Sequence, residues 1–93
     1  MHLAAAYSTI ANGGYFVKPT LLKQSAPIRG KRVLSQRTSD EALKMLRSVV
    51  ADEGGTASFA EVPGYAVGGK TGSAEKLKPN GGGYYDDKNI AIF

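Results

Sequence analysis

The chain has no cysteine, and His2 is its one histidine. Without thiols there is no disulfide and no thiolate metal site, although this absence does not fix a redox compartment. One histidine cannot build a multi-histidine metal centre. A Ser-His-Asp triad would have to draw on His2, at a terminus where chains fray. The eight carboxylates are scattered rather than gathered as a metal cage requires. We therefore expect no metal and no cofactor. No apolar run approaches the length of a membrane span, and no signal peptide opens the chain. Basic residues are dispersed too, with no run longer than Lys31-Arg32. The net charge of +4 reads mainly as solvated surface, with some attraction for an anionic polymer or membrane surface. No basic stripe with interleaved aromatics supports nucleic-acid binding.

What is present suits one small domain or a piece of a larger one: 93 residues, 42 % hydrophobic and 22 % charged. Apolar and small residues from Leu3 to Ala11 recur at three and four, which predicts a helix over residues 2–12, stopped by Gly13-Gly14. Residues 15–22 are extended in character, with Pro19 excluding helix. Residues 24–31 are loop, and Arg32-Val33-Leu34-Ser35 is a short strand candidate. Thr38 with Glu41 three residues on fits a capping box, so a second helix is expected to open at Thr38-Ser39-Asp40-Glu41. Its apolar stripe would be Ala42, Met45, Leu46, Val49 and Val50, ending at Gly54-Gly55. Thr56 to Ala60 allows one more helical turn. Tyr65-Ala66-Val67 leads into a strand that carries Lys70-Thr71-Gly72, Pro79-Asn80-Gly81-Gly82-Gly83 reads as a turn, and Asn89 to Phe93 as the start of a second strand, giving an antiparallel hairpin. Tyr84 and Tyr85 are expected on its surface. Ile90-Ala91-Ile92-Phe93 looks like a strand cut off in mid-course, so we expect a fragment of a larger domain.

The chemistry concentrates in Gly68-Gly69-Lys70-Thr71-Gly72-Ser73-Ala74-Glu75-Lys76. Side chains alternate faces on an extended strand, so Thr71 and Ser73 would share one side, about 7 Å apart. Gly72 between them lets a ligand lie close to the backbone. A cation, two hydroxyls and a bare glycine make a short rail for an anionic substrate. Two other motifs overlap this one. Gly64-Tyr65-Ala66-Val67-Gly68-Gly69-Lys70-Thr71 satisfies G-x-x-x-x-G-K-[ST], the phosphate-binding P-loop, which needs a strand before it and a helix starting at its Lys-Thr. Pro63 before it and Gly72, Pro79 and Gly81-Gly82-Gly83 after it argue against both. Ser73-Ala74-Glu75-Lys76 spells S-x-x-K, but a catalytic S-x-x-K needs a helix N-terminus. We read Ser73 as a binding residue rather than a nucleophile. No S-x-N occurs.

K-T-G is one of three motifs shared by class A β-lactamases and penicillin-binding proteins, beside S-x-x-K and S-D-N. The longer strings sharpen the match. The run from His2 to Gly14, then Lys18-Pro19-Thr20-Leu21-Leu22, Val49-Val50 with Gly55-Thr56-Ala57, and Pro63 through Lys76 together resemble part of the transpeptidase domain of a class B penicillin-binding protein of the septal division type. The resemblance implies an α+β fold with helices packed on an antiparallel sheet, residues 1–93 being a partial transpeptidase domain. The nucleophilic serine, its lysine partner and the S-x-N motif would belong elsewhere in the parent protein, leaving this segment inactive alone.

The resemblance also implies a reaction. A serine attacks the penultimate D-Ala carbonyl of a peptidoglycan stem peptide, expels the terminal D-Ala, and passes the acyl group to an amine on a neighbouring strand. β-Lactams imitate the D-Ala-D-Ala end. Lys70 would be a supporting catalytic residue, raising the potential for the substrate carboxylate and hydrogen-bonding the S-x-N serine. Thr71 and Ser73 would donate to that carboxylate, Gly72 would permit close approach, and the Ser73 N–H would be one oxyanion donor. Gly68 and Gly69 serve either packing under the strand or turn geometry. The implied partners are stem peptides, β-lactam antibiotics and divisome proteins, and the implied location is the periplasm, on a parent anchored in the inner membrane. A non-enzymatic binding or assembly module and a P-loop segment stay open as alternatives. Unpaired sheet edges lead us to expect self-association of the isolated segment.

Overall fold

Small and apolar residues at helical spacing build α1, His2–Ala11. Its buried side chains are Ala5 and Thr9, and Thr9 Oγ1 donates to the Ala5 carbonyl at 2.7 Å, so the buried hydroxyl is satisfied within the helix. The helix closes as the sequence predicts. Gly13 and Gly14 have φ of +88° and +95°, and the Gly14 N–H reaches back to the Thr9 carbonyl at 2.9 Å. That is the long bond of a Schellman closure. Space as well as conformation demands glycine at Gly14, because a β-carbon there would lie 2.2 Å from the Leu34 carbonyl oxygen. The structure, a computed structural model, describes residues 1–92.

The extended segments expected at 15–22 and 32–35 do not become strands. They meet in one antiparallel bridge, Tyr15 with Arg32. The reason lies at both flanks. The Gly14 carbonyl accepts from both Val33 and Leu34, at 2.8 and 3.1 Å, which breaks the ladder on one side. On the other, Phe16 and Lys31 share a 2.9 Å bond before Pro19 and Pro27 remove backbone donors. The Arg29 and Arg32 guanidinium carbons stack 4.9 and 4.1 Å from the Tyr15 ring centre, and Arg32 Nη1 also donates to the Gly13 and Leu34 carbonyls. Hydrogen bonding to Arg32 lowers the Tyr15 phenol pKa from its ordinary value.

The second helix, α2, spans Gln36–Ala51 and starts before the expected Thr38 cap. Ser35 caps it instead: its Oγ accepts the Thr38 N–H at 3.1 Å and lies 2.8 Å from the Thr38 hydroxyl. Ser35 offers the same hydroxyl one turn earlier. The added turn is laced by Gln36 to Asp40 and Arg37 to Glu41, so Glu41 serves an i,i+4 pair rather than a capping box. Ser39 is fully buried and donates to the Ile10 carbonyl of α1. Of the expected apolar stripe Val50 is buried, Ala42, Leu46 and Val49 are half-buried, and Met45 is exposed. The chain divides into two units, Met1–Met45 and Leu46–Phe93, with α2 running through the division.

Beyond α2, Gly54 turns with φ +83° and the Ala57 N–H returns to the Val49 carbonyl at 3.2 Å. The expected extra turn is a 3₁₀ turn, Ser58–Ala60. The hairpin follows: β1, Gly72–Leu77, pairs antiparallel with β2, Tyr84–Ile92. Gly72 lies opposite Ile92 and Ala74 opposite Ile90, and the register shifts between Glu75 and Leu77, which faces Tyr84. The turn is closed by Lys78 N–H to the Gly83 carbonyl at 2.9 Å. This shift lets β2 begin at Tyr84 rather than at Asn89. Tyr84 is exposed as expected, whereas Tyr85 is half-buried with the Lys88 ammonium 4.6 Å from its ring centre. The expected strand residue Phe93 lies outside the described residues. Two helices and an antiparallel hairpin make an α+β arrangement.

Candidate functional site

The segment that delivers Lys70 is fastened to the C-terminal half of α2. Val62-Pro63-Gly64-Tyr65 forms a tight turn, with Pro63 second, Gly64 at φ +87° third, and the Tyr65 N–H bonded to the Val62 carbonyl at 3.0 Å. Further on, the Gly69 N–H donates to the Leu46 carbonyl at 2.9 Å. A β-carbon on Gly68 would lie 3.2 Å from the Arg47 nitrogen and the Leu46 carbonyl carbon. Gly68 is therefore glycine for close packing against a helix backbone. Gly69 is not, since a β-carbon there meets nothing within 4 Å.

Pairing begins at Gly72, so Lys70 and Thr71 sit just ahead of β1 rather than on the strand as the sequence predicts. Lys70 Nζ donates to the Thr71 carbonyl at 2.8 Å and reaches the Thr71 Oγ1 at 3.3 Å. The Thr71 hydroxyl also meets the Thr56 hydroxyl at 3.3 Å. Along β1 the alternation is regular at first: Gly72 and Ala74 are half-buried, Ser73 and Glu75 exposed. The structure thus brings Lys70, Thr71 and Thr56 into one hydrogen-bonded group and presents Ser73 to solvent at the start of the strand.

The competing motifs fail on this geometry. A strand rather than a helix follows Lys70-Thr71, so no helix N-terminus aims its amides at a phosphate, and the P-loop arrangement is not formed. Ser73 and Lys76 are three apart on a strand rather than one turn apart on a helix, so they do not form the helical S-x-x-K nucleophile–base pair.

Thr56, Arg47 and Glu61 escaped the sequence reading as site residues. Arg47 on α2 makes a two-pronged pair with Glu61, with Nη2 to Oε1 at 2.8 Å, and its Nη1 also donates to the Val67 carbonyl at 2.7 Å. Hydrogen bonding to Arg47 holds the Glu61 carboxyl below its ordinary pKa, and the same bond raises that of Arg47. Arg47 stands next to the apolar stripe of α2 in the sequence, but its half-burial and its pairing with Glu61 appear only in the structure. Among the described residues no helix is long and apolar enough to cross a membrane.

The sequence profile of the penicillin binding protein transpeptidase domain matches residues 1–93. The chain belongs to that family. It is 43 % identical over 94 residues to a probable peptidoglycan D,D-transpeptidase FtsI of Caulobacter vibrioides, covering 98 % of this chain and 16 % of the relative. Identity to penicillin-binding protein 3 of Bacillus subtilis is 42 % over 78 residues, 81 % of this chain and 12 % of that one. Among solved structures, the apo TP domain of Burkholderia pseudomallei penicillin-binding protein 3 superimposes with a TM-score of 0.81 at 44 % identity, covering 96 % of this chain and 27 % of that domain. This transpeptidase-family chain therefore spans about a sixth of the length of its full-length relatives.

Proposed function

We propose that residues 1–93 are a partial transpeptidase domain, the K-T-G part of a septal peptidoglycan D,D-transpeptidase that works as a serine acyltransferase. The observation that supports this most directly is the Lys70 ammonium held on the Thr71 hydroxyl at the mouth of β1, in a chain of this family. Lys70 would attract the carboxylate of the terminal D-Ala and, in the complete domain, hydrogen-bond the S-x-N serine. Thr71 and Ser73 would donate hydroxyl bonds to that carboxylate. The Ser73 N–H would stabilise the tetrahedral oxyanion, and Gly72 would admit the substrate backbone. The acyl group moves from the stem peptide to the serine oxygen as D-Ala leaves, then to an amine of a second strand, so two moderate barriers replace one high one. β-Lactams would acylate the same serine. The segment would be inactive without the rest of the domain, which would sit in the periplasm on a membrane-anchored parent working with divisome proteins.

The test is intact-protein mass spectrometry of the full-length parent after incubation with benzylpenicillin. One penicilloyl adduct is expected, formed about a hundredfold more slowly in Lys70→Ala, the scale of losing an electrostatic stabiliser at a reacting centre. A folded parent that takes up no adduct would return weight to a non-enzymatic binding or assembly module.

A further inference from the structure

We propose that Arg47 is a positioning residue for the K-T-G rail, clamping the segment that delivers Lys70 and Thr71 onto α2; its bearing on acylation rests on the transpeptidase reading. One guanidinium holds both ends of the 61–67 segment, through the two Glu61 oxygens and the Val67 carbonyl. Arg47 lies on α2, a sixteen-residue helix whose backbone also takes the Gly69 N–H and packs against Gly68. These contacts fasten the chain at 61, 67, 68 and 69, directly ahead of Lys70.

The glycines make that fastening matter. Gly64, Gly68, Gly69 and Gly72 punctuate the approach to the rail. Glycine loses more conformational freedom on ordering than any other residue, so this segment would sample many positions if released. Val67 is three residues from Lys70, a span of at most about 10 Å of chain. Only Gly68, Gly69 and one bond to Leu46 would then absorb any movement at Val67. Lysine cannot replace this clamp, because a single ammonium does not present the planar fork that meets a carboxylate and a carbonyl together. The partners of Arg47 are Glu61 and Val67, so it acts on Lys70 and Thr71 through the backbone.

The experiment uses the full-length parent with Arg47→Ala, Arg47→Lys and Glu61→Gln. A fluorescent penicillin in stopped flow separates the drug's binding constant from the acylation step, and amide hydrogen exchange reads residues 62–73. Arg47→Ala is expected to slow acylation about tenfold, within the range that small misplacement of reacting groups produces, with little change in the binding constant. Arg47→Lys should not rescue it, and an Arg47→Ala/Glu61→Ala pair should be no slower than Arg47→Ala alone, because both changes open one clamp. Exchange should quicken over 62–73 while α1 is unaffected. If Arg47→Ala fails to fold, the milder Glu61→Gln carries the test, with a slowing of about threefold, the scale of weakening a charged hydrogen bond to a neutral one. Unchanged acylation in a variant whose exchange is also unchanged would overturn the role of Arg47. Faster exchange over 62–73 with normal acylation would overturn its bearing on the rail. No adduct in the unsubstituted parent would overturn the transpeptidase reading instead, and the exchange data would still judge the clamp.

Discussion

At the scale of single residues, the Thr71 hydroxyl sits between two partners, the Lys70 ammonium and the Thr56 hydroxyl. Thr71→Ser keeps the oxygen and should leave benzylpenicillin acylation of the parent within about twofold, whereas Thr71→Val removes it and should slow acylation about tenfold, the worth of one hydrogen bond made to a charged group. Acylation rates of the two variants, with thermal midpoints beside them, check this; equal rates would sink the role of the hydroxyl. The Lys70-Thr71-Gly72-Ser73 rail could be proposed from the sequence because its residues are neighbours, and adjacency survives in a one-dimensional string. Thr56 stands fifteen residues away from Thr71, and Glu61 fourteen from Arg47. The turns at Gly54, Ser58–Ala60 and Pro63-Gly64 fold back the chain that separates those partners, so no local pattern announces them.

At the scale of elements, caps and turns decide where each begins and ends. Ser35→Ala should destabilise the parent domain by about 1 kcal/mol, the usual cost of losing an N-cap hydroxyl. Thr38→Ala should cost clearly less, because the Thr38 backbone N–H keeps its Ser35 partner; thermal unfolding of the two variants distinguishes the caps. The Arg47–Glu61 link carries a pH dependence of definite sign. Its carboxylate is depressed in the folded state, so its stabilisation is fully present above the ordinary glutamate pKa and is lost as pH falls below it and through the folded value. Glu61→Gln should therefore flatten the acid side of the stability profile and leave its shape near neutrality unchanged. Helices and hairpin were readable because period, glycine stops and turn residues all act locally. The pairing of residues 15–16 with 30–34 was not. Whether an extended stretch becomes a strand depends on its partner, and here the Gly14 carbonyl takes two donors and ends the ladder after one bridge. The start of α2 was misread because two hydroxyl residues three apart both offer a cap, and the helix took the earlier one.

At the scale of the whole molecule, the balance of buried and exposed apolar groups governs behaviour. Among the described residues the buried apolar side chains are Ala5, Val50 and Ala57, all small or medium. Leu21 is 96 % exposed, and Leu22, Ile28, Phe59 and Tyr65 each exceed 70 %. Scattered exposed leucines are ordinary, but a core this slight supplies little of the burial that offsets chain entropy. The hairpin has two strands, each paired on one side, and a two-stranded sheet is at best marginally stable in water. Among the described residues no third strand pairs with either edge, and an open edge is a template for another chain. We propose that in the isolated 93-residue chain a second copy would cover such faces. Sedimentation velocity over a hundredfold range of concentration should show association that deepens with concentration. Lysine placed at Leu21 and Leu22 should weaken it if apolar faces drive it, and leave it intact if strand edges do. A single monomeric boundary throughout would contradict both routes, and would mean that the units hold their apolar side chains in water without recruiting a partner.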